Sequence, residues 1–239
     1  MKKSKISNFL SKYNLGGIVE ETIWTIEDKN LLVKFRTEDK SVMGVGLLKG
    51  MDIPNSEFGV YSTSKMINAI SPLDEEIKVE LISEGNTFTN LIYSDNDVIN
   101  KRTLTATSVI ENTFQGFDMP EDVFDTVIKI DANFLTKFNK IKNLESDNIG
   151  IKINNNNTAT FILNYSENNV DTGKFDINIE KGNTTIKPVL FKLDVITRIL
   201  SANKDFTSGV IKFCGEHGVL KFVFGSEDIN FMYFTVALQ

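Results

Sequence analysis

The side chains in this sequence best placed to act on another molecule are cations carried on helical faces. Lys5 and Lys12, then Lys65, then Lys137 and Lys140, and finally Arg198 and Lys204 occur in four separate stretches of helical periodicity. In each stretch they fall opposite the apolar residues. Such residues supply positive charge and no reactive group. The residue types that catalysis needs are scarce: His217 is the sole histidine, so no multi-histidine metal site or proton relay has a second member. Cys214 is the sole cysteine, which excludes an internal disulfide and every multi-cysteine metal site. Gly44–Gly50 lacks the Gly-Lys-Ser/Thr phosphate loop, and Gly16-Gly17 lacks the dinucleotide fingerprint. Asp74, Glu75, Glu76, Asp95 and Asp97 are separated turn carboxylates of the kind that solvent covers. These absences predict a protein that is not an enzyme and takes no cofactor.

The elements that must position the cations are few. Helical periodicity predicts helices at Lys3–Tyr13, Thr63–Ser71, Ala132–Lys142 and Asp194–Lys204. The third groups Phe134, Leu135, Phe138 and Ile141 on one side and Asn133, Thr136, Lys137 and Lys140 on the other. The remainder reads as short β-branched or aromatic strands divided by Gly, Asn and Asp turns: Gly17–Ile26, Asn30–Arg36, Ser41–Leu48, Ile77–Ser83, Phe88–Ser94, Arg102–Ser108, Thr126–Ile130, Ile149–Ile153, Thr158–Tyr165, Phe175–Lys181, Val210–Cys214, Val219–Gly225 and Asn230–Ala237. Asn154-Asn155-Asn156-Asn157 lies between two apolar runs and reads as a hairpin turn. Trp24 falls in a strand and is expected to pack a core or a sheet face.

Charge is distributed unevenly among these elements. Asp and Glu outnumber Lys and Arg by 32 to 26, giving a net charge of −6, which by itself does not suggest a nucleic-acid partner. Carboxylates are nevertheless almost missing from the exposed helix faces. The exceptions, Asp131 and Asp194, sit at helix starts, where capping or the helix dipole accounts for them. Any one such helix is adequately explained as a solvated amphipathic surface; the same bias in all four is not.

The chain also repeats itself. Asn8-Phe9-Leu10-Ser11-Lys12-Tyr13-Asn14 returns as Asn133-Phe134-Leu135-Thr136-Lys137-Phe138-Asn139, with conservative changes only at Ser11/Thr136 and Tyr13/Phe138. A period near half of 239 residues indicates two duplicated domains, not a solenoid. Each half reads helix, strands, helix, strands, and Glu84-Gly85 and His217-Gly218 occupy similar hairpin positions. The expected class is α+β, with two similar domains, 1–113 and 127–239, each carrying two helices packed on antiparallel sheets. The connector 114–126 holds Phe114, Phe117, Met119, Pro120, Val123 and Phe124, more apolar surface than a solvated linker needs. No run has the length and hydropathy of a signal peptide or a membrane span, so a soluble intracellular protein with no membrane partner is expected.

With these residues in view, the chain resembles the DNA sliding clamps, the ring-shaped processivity factors of replicative polymerases. Met1-Lys2-Lys3-Ser4-Lys5 and the Asn8–Asn14 helix look like the opening of T4-type phage clamps. Val189-Leu190-Phe191-Lys192, the following helix, Gly209–Phe213, Leu220–Phe224 and the terminal Met232–Leu238 resemble the closing unit of clamps generally. The resemblance implies a homotrimer whose six domains form a ring around duplex DNA, bound without sequence preference. Lys5, Lys12, Lys65, Lys137, Lys140, Arg198 and Lys204 would then face the DNA, and Met119, Phe124, Val236 and Leu238 would belong to a groove for client peptides. It further implies a DNA polymerase and an ATP-driven clamp loader as partners, and a host cytoplasm if the protein is viral. Two other readings stay open: a clamp-like platform for transcription or repair factors, and a β-rich peptide-binding module that does not encircle DNA. Dispersed cations suit a tether that must hold phosphates without a register.

Overall fold

The computed structural model describes residues 1–85, 87–111, 114, 116, 119–144, 146–166, 172–180, 182–185 and 187–238. Two compact units account for them. The first comprises Met1–Gly116 with Ser226–Phe231, and the second Phe117–Gly225 with Met232–Gln239.

In the first unit the order is α1 (Lys3–Asn14), β1 (Thr22–Glu27), β2 (Asn30–Arg36), β3 (Met43–Lys49), β4 (Ser56–Val60), α2 (Thr63–Ile70), β5 (Lys78–Glu84), β6 (Thr87–Ser94) and β7 (Ile99–Thr103). The strands run β4-β1-β2-β3 in one antiparallel sheet and β5-β6-β7 in a second. α1 buries Ile6, Phe9, Leu10 and Tyr13, the i, i+3, i+4, i+7 stripe expected of a helix with one apolar face. It stops at Leu15, whose left-handed backbone (φ 50°) is followed by Gly16 and Gly17, also at positive φ. Trp24 is fully buried, and its Nε1 donates to the Tyr13 hydroxyl at 3.2 Å.

The second unit continues with β8 (Thr126–Ile130), α3 (Ala132–Ile141), β9 (Asn148–Ile153), β10 (Thr158–Leu163), β11 (Gly173–Asn178), β12 (Val189–Lys192), α4 (Leu193–Ala202), β13 (Gly209–Cys214), β14 (Val219–Gly225) and β15 (Ile229–Val236). Its sheets run β11-β10-β9-β12 and β15-β14-β13-β8. The first of these is the counterpart of β3-β2-β1-β4 strand for strand, so the duplication read from the helix repeat extends to sheet topology. α3 buries Phe134 and Phe138, which stack on each other at 6.2 Å, while Phe134 meets Phe161 and Phe175 edge to face. The hairpin turns expected at Gly85, Gly218 and Asn157 carry positive φ values of 61°, 59° and 57°.

The structure adds and moves some elements. β4 and β12 were not foreseen as strands; Ser56–Val60 contains Gly59, and Val189–Lys192 is only four residues long, so neither gives a strong period. The run Arg102–Ser108 is not a strand. β7 ends at Thr103, Thr105 makes a single bridge to Gly59, and Thr107–Val109 is a 3-10 turn. Among the described residues no helix is long and apolar enough to cross a membrane.

Candidate nucleic-acid and peptide interfaces

In the first unit, polar bonds fix the two helices. Ser62 caps α2 by accepting from the Lys65 amide, and Glu20 accepts from the Ser62 hydroxyl at 2.9 Å and from the Ser64 amide at 3.0 Å. Burial alone would push the Glu20 carboxyl up, but the hydrogen bonds, led by that from the Ser64 hydroxyl, hold it below the usual carboxylate range. The cations here are largely committed. Lys5 pairs with Asp228 at 3.1 Å, and Lys3 donates to the carbonyls of Ser71 and Leu73. Lys65 is exposed.

Lys12 departs from expectation. Its side chain is 0% exposed, so it does not present charge to solvent. On the helical wheel it stands only about 60° from Phe9, and α1 packs directly on α2. Its counterpart Lys137 has a different fate in the same repeat: partly exposed, it reaches across to donate to the Asp176 carbonyl at 2.8 Å.

In the second unit the cations of the helical segments remain at least partly exposed. Asp131 caps α3 by accepting from the Phe134 amide at 2.8 Å, as its position suggested. Lys140 and Lys204 are exposed. α3 and α4 leave a cleft of about 160 Å³ lined by Leu135, Phe138, Asn139, Lys142, Leu200, Ser201 and Lys204. Lys142, at the end of α3, thus joins Lys204 beside an amide and a hydroxyl. Asp194 proves to be more than a helix-start residue: its carboxylate takes the Arg198 Nε at 2.7 Å, four residues on, which offsets that arginine's charge.

The peptide candidates fall into two sets within the second unit. Phe124, Cys214, Val219 and Phe234 form a buried cluster, against which Met119, Val123 and Met232 pack. Met119 and Phe124 are therefore brought together. Val236 and Leu238 lie outside the cluster, exposed at 41% and 39%. Two-residue alternation nevertheless puts Val236 on the same side of β15 as Met232 and Phe234. Backbone bonds hold the C-terminal run in place, from the Ala237 amide to the Gly218 carbonyl at 2.7 Å and from the Leu238 amide to the Leu190 carbonyl at 2.8 Å. Phe117, also expected in the connector's apolar set, lies outside the described residues.

An ion-paired strap crosses this cluster. Glu121, in the 3-10 turn Glu121–Val123, accepts from Lys212 at 2.8 Å and from Lys221. The side chain of Lys221 is only 8% exposed, and its ammonium lies 5.7 Å and 5.6 Å from the ring centres of Phe124 and Phe234. The Lys212 and Lys221 hydrogen bonds hold the Glu121 carboxyl below its ordinary value. Sequence reasoning passed over Lys212 and Lys221 because they sit on strands, where helical segregation says nothing. The alternation of Met232, Phe234 and Val236 was the signal that could have extended the groove.

The architecture is that of the sliding clamps: a duplicated α+β unit, two helices per copy, on antiparallel sheets. The chain is similar over its full length to proliferating cell nuclear antigen from Entamoeba histolytica, with a TM-score of 0.77 and 14% identity, covering 100% of this chain and 96% of that one. It is also similar to a chain of the A. fulgidus PCNA structure with the bound C-terminal region of FEN-1, at a TM-score of 0.75, 14% identity, and coverage of 100% and 97%. A chain of the PCNA2–PCNA3 complex from Sulfolobus tokodaii gives 0.73 and 11%, covering 99% and 97%. No protein-family profile and no curated protein sequence matches this chain.

Proposed function

We propose that this chain is a sliding clamp: three copies close into a six-domain ring around duplex DNA and tether a replicative polymerase for processive synthesis. The observation that carries this reading is a pair of open edges in a duplicated fold. β3 is covered in the first unit by the opening of β15, where the Lys49 amide donates to the Asp228 carbonyl at 2.9 Å and Phe231 packs over Gly46. Among the described residues its counterpart β11 ends its sheet, and so does β7, the counterpart of β15. An edge of each kind left open on every copy is what head-to-tail closure requires. β7 and β11, which overlap the expected strands Arg102–Ser108 and Phe175–Lys181, are the pairing edges on this reading.

On this reading 1–113 and 127–239 are the clamp domains, joined by 114–126. Lys5, Lys65, Lys137, Lys140, Arg198 and Lys204 face the DNA, with Lys142 taking the place of Lys12. The surface around Met119, Phe124, Val236 and Leu238 receives an apolar client peptide, whose anchors it would bury beside Phe234. A closed ring also needs an ATP-driven loader on circular DNA. The opening helix favours a T4-type phage clamp acting in the host cytoplasm.

A loader-free experiment tests the ring. Open-ended linear duplex is incubated with the protein, both ends are then blocked with bound bulky proteins, and retention through a high-salt wash is measured. Retention that needs blocked ends supports encirclement. Equal loss with blocked and open ends, together with a mass of 26.9 kDa by light scattering, would overturn it.

A further inference from the structure

Beside the open edge β7 the first unit has a cleft of about 470 Å³, bounded by Tyr61, Ser62, Lys65, Met66, Arg102 and Leu104. Its walls are mixed. Tyr61 is 61% exposed although aromatic, and the Arg102 Nε is buried with no hydrogen-bond partner among the described residues. Arg102 sets a planar cation in the wall of this cleft, a group on which an aromatic ring can stack. At the other open edge, Leu144 is 49% exposed in the turn after α3. Its Cδ1 lies over Gly173 so closely that a Cβ there would overlap it, which keeps the leucine at the rim of β11.

The two edges also match face by face. On β7, Asn100 donates to the Ala69 carbonyl of α2 at 2.8 Å, so Asn100 and Arg102 point to the helix side and Lys101 to the opposite side. On β11, Phe175 packs on Phe134 of α3, so Phe175 is on the helix side and Lys174 and Asp176 are opposite. Joining the edges with both helices on one side therefore puts Lys101 with Asp176, and Arg102 with Phe175 and Leu144.

We infer that successive copies of this chain lock by a plug and socket, Leu144 of one entering the Tyr61–Arg102 cleft of the next, in an antiparallel register that sets Lys101 opposite Asp176. This rests on the ring reading above and specifies its joint. The register brings Arg102 opposite Phe175, whose ring the guanidinium can cover. Sliding by two residues one way sets Lys101 against Lys174, a destabilising like-charge pair; sliding the other way sets it against Asn178 and forfeits the ion pair. Polar specificity thus comes from the outer side of the joint and apolar burial from the helix side.

The test is sedimentation of the full chain over a concentration series at low salt. Lys101→Glu and Asp176→Lys should each weaken assembly roughly five-fold per interface, and the double exchange should restore it. Lys40→Glu, the same charge change on the β2–β3 turn, should leave assembly as it was. Leu144→Asp should weaken it by roughly tenfold or more, while Leu144→Met keeps it. Circular dichroism melting of each variant separates lost assembly from lost folding. Wild type that assembles, with a double exchange no better than the single changes or with Leu144→Asp indifferent, would overturn this joint and leave the ring standing. Wild type that never assembles, even on duplex DNA, would overturn both.

Discussion

Replacing Lys12 and replacing the exposed Lys140 of α3 and Lys204 just after α4 should produce opposite phenotypes. Lys12→Ala removes three methylenes from a position that is 0% exposed. At about 0.8 kcal/mol each, this comes to about 2.4 kcal/mol, before any loss of the ammonium's own interactions. With a urea slope of about 2 kcal/mol/M, the unfolding midpoint should fall by about 1 M. Lys140 and Lys204 are exposed, and alanine at either should change stability by no more than about 0.5 kcal/mol. For DNA the order reverses. If both lysines neutralise phosphates, removing the pair should lower the slope of log K against log salt by about 1.8 per engaged protomer, whereas Lys12→Ala should leave the slope unchanged. Urea unfolding followed by circular dichroism and salt titration of duplex binding by anisotropy measure the two quantities. A Lys12→Ala protein with an unmoved midpoint and a slope reduced as much as that of the Lys140/Lys204 double variant would refute the reasoning.

Other outcomes follow from packing and titration. Glu121→Gln should cost less than about 1 kcal/mol at neutral pH, because the carboxylate is 61% exposed and solvent screens its pairs. Since the folded carboxyl is held below its ordinary value, its stabilisation is present above the ordinary carboxylate pKa and is lost as pH falls through the lowered one. The difference between variant and wild type in urea midpoint should therefore vanish in acid; a constant offset at all pH would show that the ion pairs are not its source. Gly46→Ala would drive a methyl into the Phe231 ring and should destabilise by about 1–3 kcal/mol, read as a lower melting temperature. Val236→Ser should weaken binding of a polymerase C-terminal peptide while leaving the melting temperature within error, because the side chain is exposed; Phe124→Ala should lower both, by about 3–5 kcal/mol in stability. Tyr13, whose pKa burial pushes up to about 12, should show no phenolate absorbance until alkaline unfolding begins.

Much of the fold was readable because it depends on periods. The stripe Ile6, Phe9, Leu10, Tyr13 and its counterpart Phe134, Phe138 announce helices, and the repeat announces the duplication. Strand assignment failed where the period was short or broken, at Val189–Lys192, at Ser56–Val60 and around Thr103–Thr107. In the last case Thr105 bridges Gly59, and that contact ends β7 early; no local pattern encodes it.

The candidate interfaces were readable only where the side chain's environment is local. A wheel reports which residues oppose the core, and for Lys140 that was enough; Lys204 is exposed in the turn that follows α4. For Lys12 it was not: α1 packs against α2, and the same lysine that is enclosed there is left accessible at Lys137. Arg198 was likewise visible as a cation, but its charge is offset by Asp194 one turn earlier, a residue explained well enough by its place at a helix start. The strap of Glu121, Lys212 and Lys221 joins a connector turn to two strands and has no period at all. Duplication therefore conserves the scaffold more faithfully than the surface. Each copy keeps Phe9 or Phe134 in the core, because losing a buried ring costs several kcal/mol. The polar residues around that core take their roles from whichever element packs next to them.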